Sequence, residues 1–395
     1  MPPDSPFIKR IKRHVIGRRR TYFAATAPGF EKLCLDEIRS LALFDAEASE
    51  VPGGVEFKGR LQDCYLANLH LRTANRVLMR IETVNATHFS QLQKKLSDIS
   101  WELFLRADQV PQMHVATRHC RLYHTAAISE RLLKAIAARK KNIEFMAPAQ
   151  ELSFSPQNIY VRGVDDRFTV SIDSSGENLY KRGIKKHTGS APLRETTAAA
   201  ALMLAGYTAP EPLIDPMCGT GTFALEAALI AKNIPPGWFR EFAFMQWPSF
   251  SQKRWEYLKS QCATKFANPQ KRLIFASDQD SAACSRLEKC IQKHKLSGLI
   301  KVSQKDFFDF IPRELTDQTG VVLINPPYGR RLGNLEKSDH LFVAICDKLK
   351  QDFMGWKLVL VAPDRNLVKK IPFQLDALPF FHGGLKPTLM FGRIV

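Results

Sequence analysis

Asn325, Pro326, Pro327 and Tyr328 bring together several groups that could do chemistry, directly after the apolar run Val321 to Ile324 and just before Gly329. Both prolines fix their own φ and push the preceding residue out of helical space, so the segment must be extended and rigid. That pre-aims two acceptors, the Asn325 side-chain carbonyl and the Pro326 backbone carbonyl, and leaves the Tyr328 ring to cover a planar base. Two acceptors and one stacking face suit an exocyclic amine on a flat ring. An apolar strand ending in such a turn is where open α/β sheets place their active sites. The plain alternative is an ordinary strand-to-loop turn, since a tetrapeptide match has a real false-positive rate.

A second constellation fits a cofactor. Asp215-Pro216-Met217-Cys218-Gly219-Thr220-Gly221-Thr222 stands between the strand Leu213 to Asp215 and a helix over Phe223 to Lys232. Gly219 and Gly221 allow a sharp turn and close approach to a ligand. Neither G-x-G-x-x-G nor G-x-x-x-x-G-K-[ST] is present, which disfavours a dinucleotide or nucleoside triphosphate loop. The acid that opens the loop, Asp215, suits a cationic ammonium better than a pyrophosphate, and S-adenosylmethionine carries such a group. Asp278, with Asp280 close behind, ends the next strand and is placed to accept from both ribose hydroxyls. Asp306 follows a third strand and could accept from an adenine amino group. Each acid alone could equally be a helix N-cap or a solvated loop residue. Together, three acids after successive strands and the Asn-Pro-Pro-Tyr turn after the fourth form one site.

The elements that must position these residues alternate strand and helix from Arg194 onward: a helix at Arg194 to Leu204, strands at Leu213, Leu273, Ile300, Val321 and Lys357, and helices from Thr222, Ser281 and His340. That order predicts a doubly wound, mostly parallel sheet. Earlier, strands at 22–26, 55–57 and 76–84 with helices at 30–43, 61–71 and 89–99 read as a small α+β unit. A second unit follows, with strands at 112–117, 157–164 and 167–173 and a helix at 128–141. The run Lys181 to His187 reads as a basic linker, and residues 1–20, with seven Lys or Arg against Asp4, as a mobile basic arm that either touches phosphates or is merely solvated.

Composition narrows the class. The 395 residues exceed one ordinary core, and 45% hydrophobic with 24% charged residues is globular. There is no run of 18 apolar residues to span a membrane. A formal charge of +18, from 57 Lys and Arg against 39 Asp and Glu, favours a polyanionic partner, nucleic acid first. Eight scattered cysteines without a C-x-x-C pair disfavour zinc and disulfides, so no metal is expected and the compartment is read as cytoplasmic.

The loop from Asp215 to Thr222, then Asp278, Asp306 and Asn325 to Gly329, resemble class I methyltransferases acting on exocyclic amines. With Leu193-Arg194-Glu195-Thr196 upstream and Gly329-Arg330-Arg331-Leu332 downstream, the chain resembles the THUMP-domain RNA guanine-N2 methyltransferases over nearly its whole length. The resemblance implies a Rossmann-like catalytic domain at 176–395, preceded by the arm at 1–20, a ferredoxin-like domain at 21–90 and a THUMP RNA-binding domain at 91–175. It implies S-adenosylmethionine as cofactor and guanosine N2 of 23S ribosomal RNA as target. Transfer RNA guanine N2, adenine N6 of DNA, and a non-catalytic RNA-binding role remain as alternatives, because the same grip would hold other planar amines.

Overall fold

The computed structural model describes residues 5–41, 47–142, 156–185, 193–269, 273–327, 335–381 and 386–395. The chain divides into two compact units, Met1–Thr26 with Cys34–Leu179 and Arg240–Lys259, and Ala27–Leu33 with Tyr180–Phe239 and Ser260–Val395.

The first unit carries β1 (Arg20–Thr26), β2 (Ala48–Val51), β3 (Gly54–Gly59), β4 (Ala74–Asn85), β5 (Gln112–Arg118), β6 (Asn158–Val164) and β7 (Arg167–Asp173). They form one sheet in the order β2-β3-β1-β4-β7-β6-β5, antiparallel except for the parallel pair β5 and β6. The two α+β units expected from the sequence are thus joined edge to edge through β4 and β7. Alternation within β4 sends Val77, Met79 and Ile81 into the core, while Arg76 and Arg80 take the other face. Unforeseen were β2, whose Ala-Ser-Glu-Val shows little alternation, and segment 240–259, which adds Phe244, Phe250 and Trp255 around the ring of Tyr65.

The expected mobile arm is corrected over its described part. Residues Pro6–Ile11 form an α-helix, with Ser5 accepting from the Ile8 amide, and Lys12–Ile16 continue as a π-turn. Ile11 and Val15, four residues apart on one face, are 2% and 0% exposed. The Arg10 guanidinium donates at 2.6 Å to the fully buried Glu102 carboxylate. The basic residues hid an amphipathic helix whose apolar stripe is only two residues long.

The second unit carries β8 (Leu213–Asp215), β9 (Ile274–Asp278), β10 (Ile300–Gln304), β11 (Val321–Ile324), β12 (Lys357–Ala362), β13 (Asp376–Pro379) and β14 (Thr388–Arg393). The order is β10-β9-β8-β11-β12-β14-β13; the first five are parallel, and β14 is antiparallel to both neighbours. This is the α/β fold expected. Its central strands β11 and β12 read as nearly unbroken apolar runs because both faces are covered. Val321 and Leu323 enter one hydrophobic cluster with Val359 and Val361, while Val322 and Ile324 enter another with Leu358 and Leu360. The helix Glu195–Leu204 supports the first cluster, with Ala198 to Ala201 completely buried. Strand order reverses between β8 and β11, so a crevice opens beyond their carboxyl ends, the position that ligands take in such sheets.

Candidate active site

The residues that leave these strand ends surround a cavity of about 570 Å³. Its wall includes Pro216, Met217, Gly219, Thr222, Asp278, Asp306, Asn325 and Pro327 of the residues singled out in the sequence. Asp215, Gly221 and Pro326 lie behind that wall. Tyr328, like Gly329 to Leu332, lies outside the described residues.

The loop after β8 is shaped by backbone requirements. Gly219 and Gly221 have φ of +51° and +71°, the left-handed region in which a side chain is strained. Nothing stands within 4 Å of a Cβ built on Gly219, whereas one on Gly221 would meet Leu287 Cδ1 at 2.4 Å. The Cys218 amide donates to the Ser277 carbonyl at 2.9 Å and the Gly219 amide to Asp278 Oδ2 at 2.8 Å, which ties the loop to the end of β9. Asp278 Oδ1 accepts from the Asp280 amide at 3.0 Å. Each Asp278 oxygen therefore holds one backbone N–H and keeps a lone pair free for a ligand hydroxyl.

Asp280 caps the helix Ser281–Lys293 by accepting from the Ala282 amide at 2.8 Å, so it serves a structural role. Asp306 Oδ1 likewise accepts from the Phe308 amide at 2.9 Å, while the residue stays on the cavity wall. Beside it stand Phe307, which is buried, and Phe308, 41% exposed, two rings able to border a flat base. Sequence reading passed over both, although two aromatics after an acid at a strand end were the available signal.

Two polar groups at this site are buried and poorly answered among the described residues. Asp215 is 1% exposed, and apart from a weak approach of the Ala224 amide neither carboxylate oxygen has a hydrogen-bond partner among them. Burial pushes its carboxyl up to about 8; the Asp278 charge adds to this, and the Ala224 amide and Lys185 pull it only partway back. Asn325 Oδ1, at the end of β11, is also buried and has no partner among the described residues. Leaving such an atom unpaired costs about 1–3 kcal/mol, a cost that a ligand donor would remove. The orphaned acid suits a cation and the orphaned carbonyl suits an N–H donor. With the free lone pair on each Asp278 oxygen, this set of acceptors fits S-adenosylmethionine and an amine that receives its methyl.

Lys185, read in the sequence as part of a linker, is instead built into this region. Its ammonium donates to Thr222 Oγ1 at 2.7 Å and pairs with Glu195 at 3.2 Å, and its side chain is only 8% exposed. Arg182 three residues earlier pairs with Glu226 at 2.9 Å, both almost fully buried. A basic run gives no hint of burial unless its acidic partners, distant in sequence, are known.

Comparison with known proteins points to methyltransferases. Residues 182–375 match the RMKL-like methyltransferase domain, and residues 21–78 match the RlmL ferredoxin-like domain. A candidate RNA methyltransferase of Synechocystis sp. is 32% identical over 94% of this chain and 96% of its own. The ribosomal RNA large subunit methyltransferase K/L of Allochromatium vinosum is 30% identical over 92% of this chain; the chain spans about half, 50%, of that longer protein. Among crystal structures, a predicted N6-adenine-specific DNA methylase of Listeria monocytogenes has a TM-score of 0.83 at 27% identity, covering 95% of this chain and 96% of its own. A candidate methyltransferase crystallised with S-adenosylhomocysteine has 0.81 at 26%, covering 95% and 98%.

Proposed function

The chain belongs to the RMKL-like methyltransferase family, and from that premise we propose that it methylates the exocyclic N2 of a guanosine in ribosomal RNA, with S-adenosylmethionine as donor. The observation that carries the reading is Asn325 Oδ1, buried and without a partner among the described residues, on the wall of the cavity reached by Asp278 and the glycine loop.

When bound, the cofactor supplies a methyl group made electrophilic by its sulfonium. Asp278, pinned by two amides, accepts from the ribose hydroxyls, and Asp306 with Phe307 and Phe308 borders the adenine. Asp215 faces the cationic amino-acid end from behind the loop of Pro216, Met217, Gly219 and Gly221, and Thr222 starts the helix beneath it. A guanine amine is a poor nucleophile because its lone pair is delocalised into the ring. Asn325 Oδ1 and the Pro326 carbonyl accept its two N–H bonds, free the lone pair for attack and stabilise the positive charge that develops. Pro327 keeps the turn extended, and Tyr328 stacks on a base drawn out of its helix or loop. No strong base is needed, because the cationic product sheds its proton to water.

The RNA is bound through the first unit, in which 91–175 serves as a THUMP domain, and an rRNA substrate places the enzyme in the cytoplasm. Support for rRNA comes from the K/L relatives and from the charge of +18. Adenine N6 in DNA is the competing reading, favoured by the description of the Listeria protein alone. Transfer of labelled methyl from S-adenosylmethionine to total RNA and to DNA, measured side by side, tests the choice. Label in RNA alone is expected; label in DNA alone refutes the proposal.

A further inference from the structure

In the first unit, strand register gathers a second set of binding groups on one face of the sheet. Arg80 of β4 pairs across to Ser171 of β7, Ser171 to Tyr160 of β6, and Tyr160 to His114 of β5, so the four stand in one row. Residues spaced by two share that face, which adds Arg76 beside Arg80 and Arg162 beside Tyr160. All of these except Ser171 line a cleft of about 760 Å³, within the roughly 300–1,000 Å³ usual for ligand sites.

The floor of the cleft carries a stacked pair of rings, and its rim is positive. The rings of His114 and Tyr160 stack at 4.6 Å with 16° between planes, and the His114 Nε2 is held 2.9 Å from Asn158 Oδ1. The Arg76 guanidinium lies 5.6 Å from the Tyr160 ring centre, fixed by Asp173, by the Gly176 carbonyl at 2.6 Å and by Asn178 at 3.0 Å. Asp173 thus answers Arg76, and Glu56 answers Arg80 at 2.9 Å. Arg162 is exposed and has no ion-pair partner among the described residues, and Arg80 Nε has no acceptor there. Burial lowers the Arg80 pKa, Glu56 pulls it partway back up, and the nearby Arg162 charge lowers it further. Held stacked rings beside two adjoining guanidiniums match a nucleotide, base on the rings and phosphate on the arginines. A wholly acidic peptide would answer the charge but leave the ring floor unused.

We propose that this cleft binds one nucleotide of a single-stranded RNA segment, with its base extending the His114–Tyr160 stack from its outer face and its phosphate between Arg80 and Arg162. The inference rests on the reading of RNA as substrate and adds where the first unit grips it.

The test uses the full chain and a short fluorescein-labelled single-stranded RNA, with anisotropy read across a salt series, alongside labelled polyglutamate. Arg162→Ala should weaken RNA binding about 5-fold or more and lower the slope of log affinity against log salt by about 0.7. His114→Ala should weaken it about 10-fold by loss of stacking. S-adenosylhomocysteine affinity and the circular-dichroism melting curve of the full chain should be unchanged in both, which shows that both units fold. In the unmodified protein, RNA carrying 4-thiouridine should photo-crosslink to the peptide containing Tyr160. Unchanged RNA affinity in both variants, or equal losses for polyglutamate, or crosslinks that fall only elsewhere, would overturn the cleft. Failure of the unmodified chain to bind any RNA would overturn the substrate reading and this inference together.

Discussion

Asp215 links cofactor binding to pH. Its carboxyl is buried, answered among the described residues only weakly by the Ala224 amide, and burial pushes it up to about 8. At pH 7 only about a tenth of it is ionised, and at pH 6 about a hundredth. If the ammonium of the cofactor is held by the ionised form, affinity for S-adenosylhomocysteine should rise about tenfold from pH 6 to 7, about fivefold more from 7 to 8, and level off above that. Binding at pH 7 should release about 0.9 proton, measurable by calorimetry in two buffers of different ionisation heat. The folding linkage has the opposite sense. A raised carboxyl pKa favours folding at low pH and costs stability as pH climbs towards 8, about 4 kcal/mol at pH 7 at most. Asp215→Asn should therefore stabilise the unliganded protein at pH 7, flatten the pH profile of binding and weaken affinity at pH 8. 5′-Methylthioadenosine, which lacks the ammonium, should show no pH dependence. Flat S-adenosylhomocysteine affinity from pH 6 to 8 without proton release would refute the reasoning.

Three further outcomes follow from the same geometry. Asp278→Ala removes the ribose acceptor and the anchor of the Gly219 amide, and should cost about 1.5–3 kcal/mol in cofactor affinity; unchanged calorimetric affinity would take Asp278 out of the site. Gly221→Ala combines a left-handed φ of +71° with a Cβ 2.4 Å from Leu287 Cδ1, so melting temperature and cofactor affinity should both fall, with partial recovery on adding Leu287→Ala to relieve the contact. Deleting residues 1–16 removes the buried Ile11 and Val15 and the Arg10 bond to Glu102, each apolar side chain worth about 1.5–3 kcal/mol; the melting temperature should drop clearly, and an unchanged one would restore the reading of a free arm.

The second unit was legible in the sequence to the extent that its strands are short apolar runs closed by acids or prolines. Val321 to Ile324 can be continuous because alternate residues feed two separate clusters, and that two-sided demand is what marks a central parallel strand. The family and fold read from the motifs agree with the comparisons. Asp215, Asp278, Asp306 and Asn325 converge on one region because each ends or follows a strand at the same edge of the sheet. Their burial states were not legible, since the orphaning of Asp215 and Asn325 depends on what packs around them. The helix at residues 6–11 was hidden by charge, for two apolar residues give too weak a period to read. Lys185 was hidden for a related reason: Thr222 and Glu195, which fix it, are remote along the chain. Asp280 and Asp306 show the converse, acids at strand ends that cap helices whatever else they do.

The central claim is that the turn at Asn325 delivers a guanine amine to the methyl donor, and nucleoside analysis after single-turnover transfer tests it most directly. RNA methylated from labelled S-adenosylmethionine is digested and its nucleosides are identified by mass, with Asn325→Ala run in parallel and S-adenosylhomocysteine affinity measured for both proteins. The account predicts N2-methylguanosine from the parent chain. It predicts a fall of roughly 100-fold or more in the rate for Asn325→Ala, by analogy with loss of one oxyanion-hole donor, with cofactor affinity nearly intact. N6-methyladenosine as the product, or an Asn325→Ala variant that methylates at the parent rate, would contradict it.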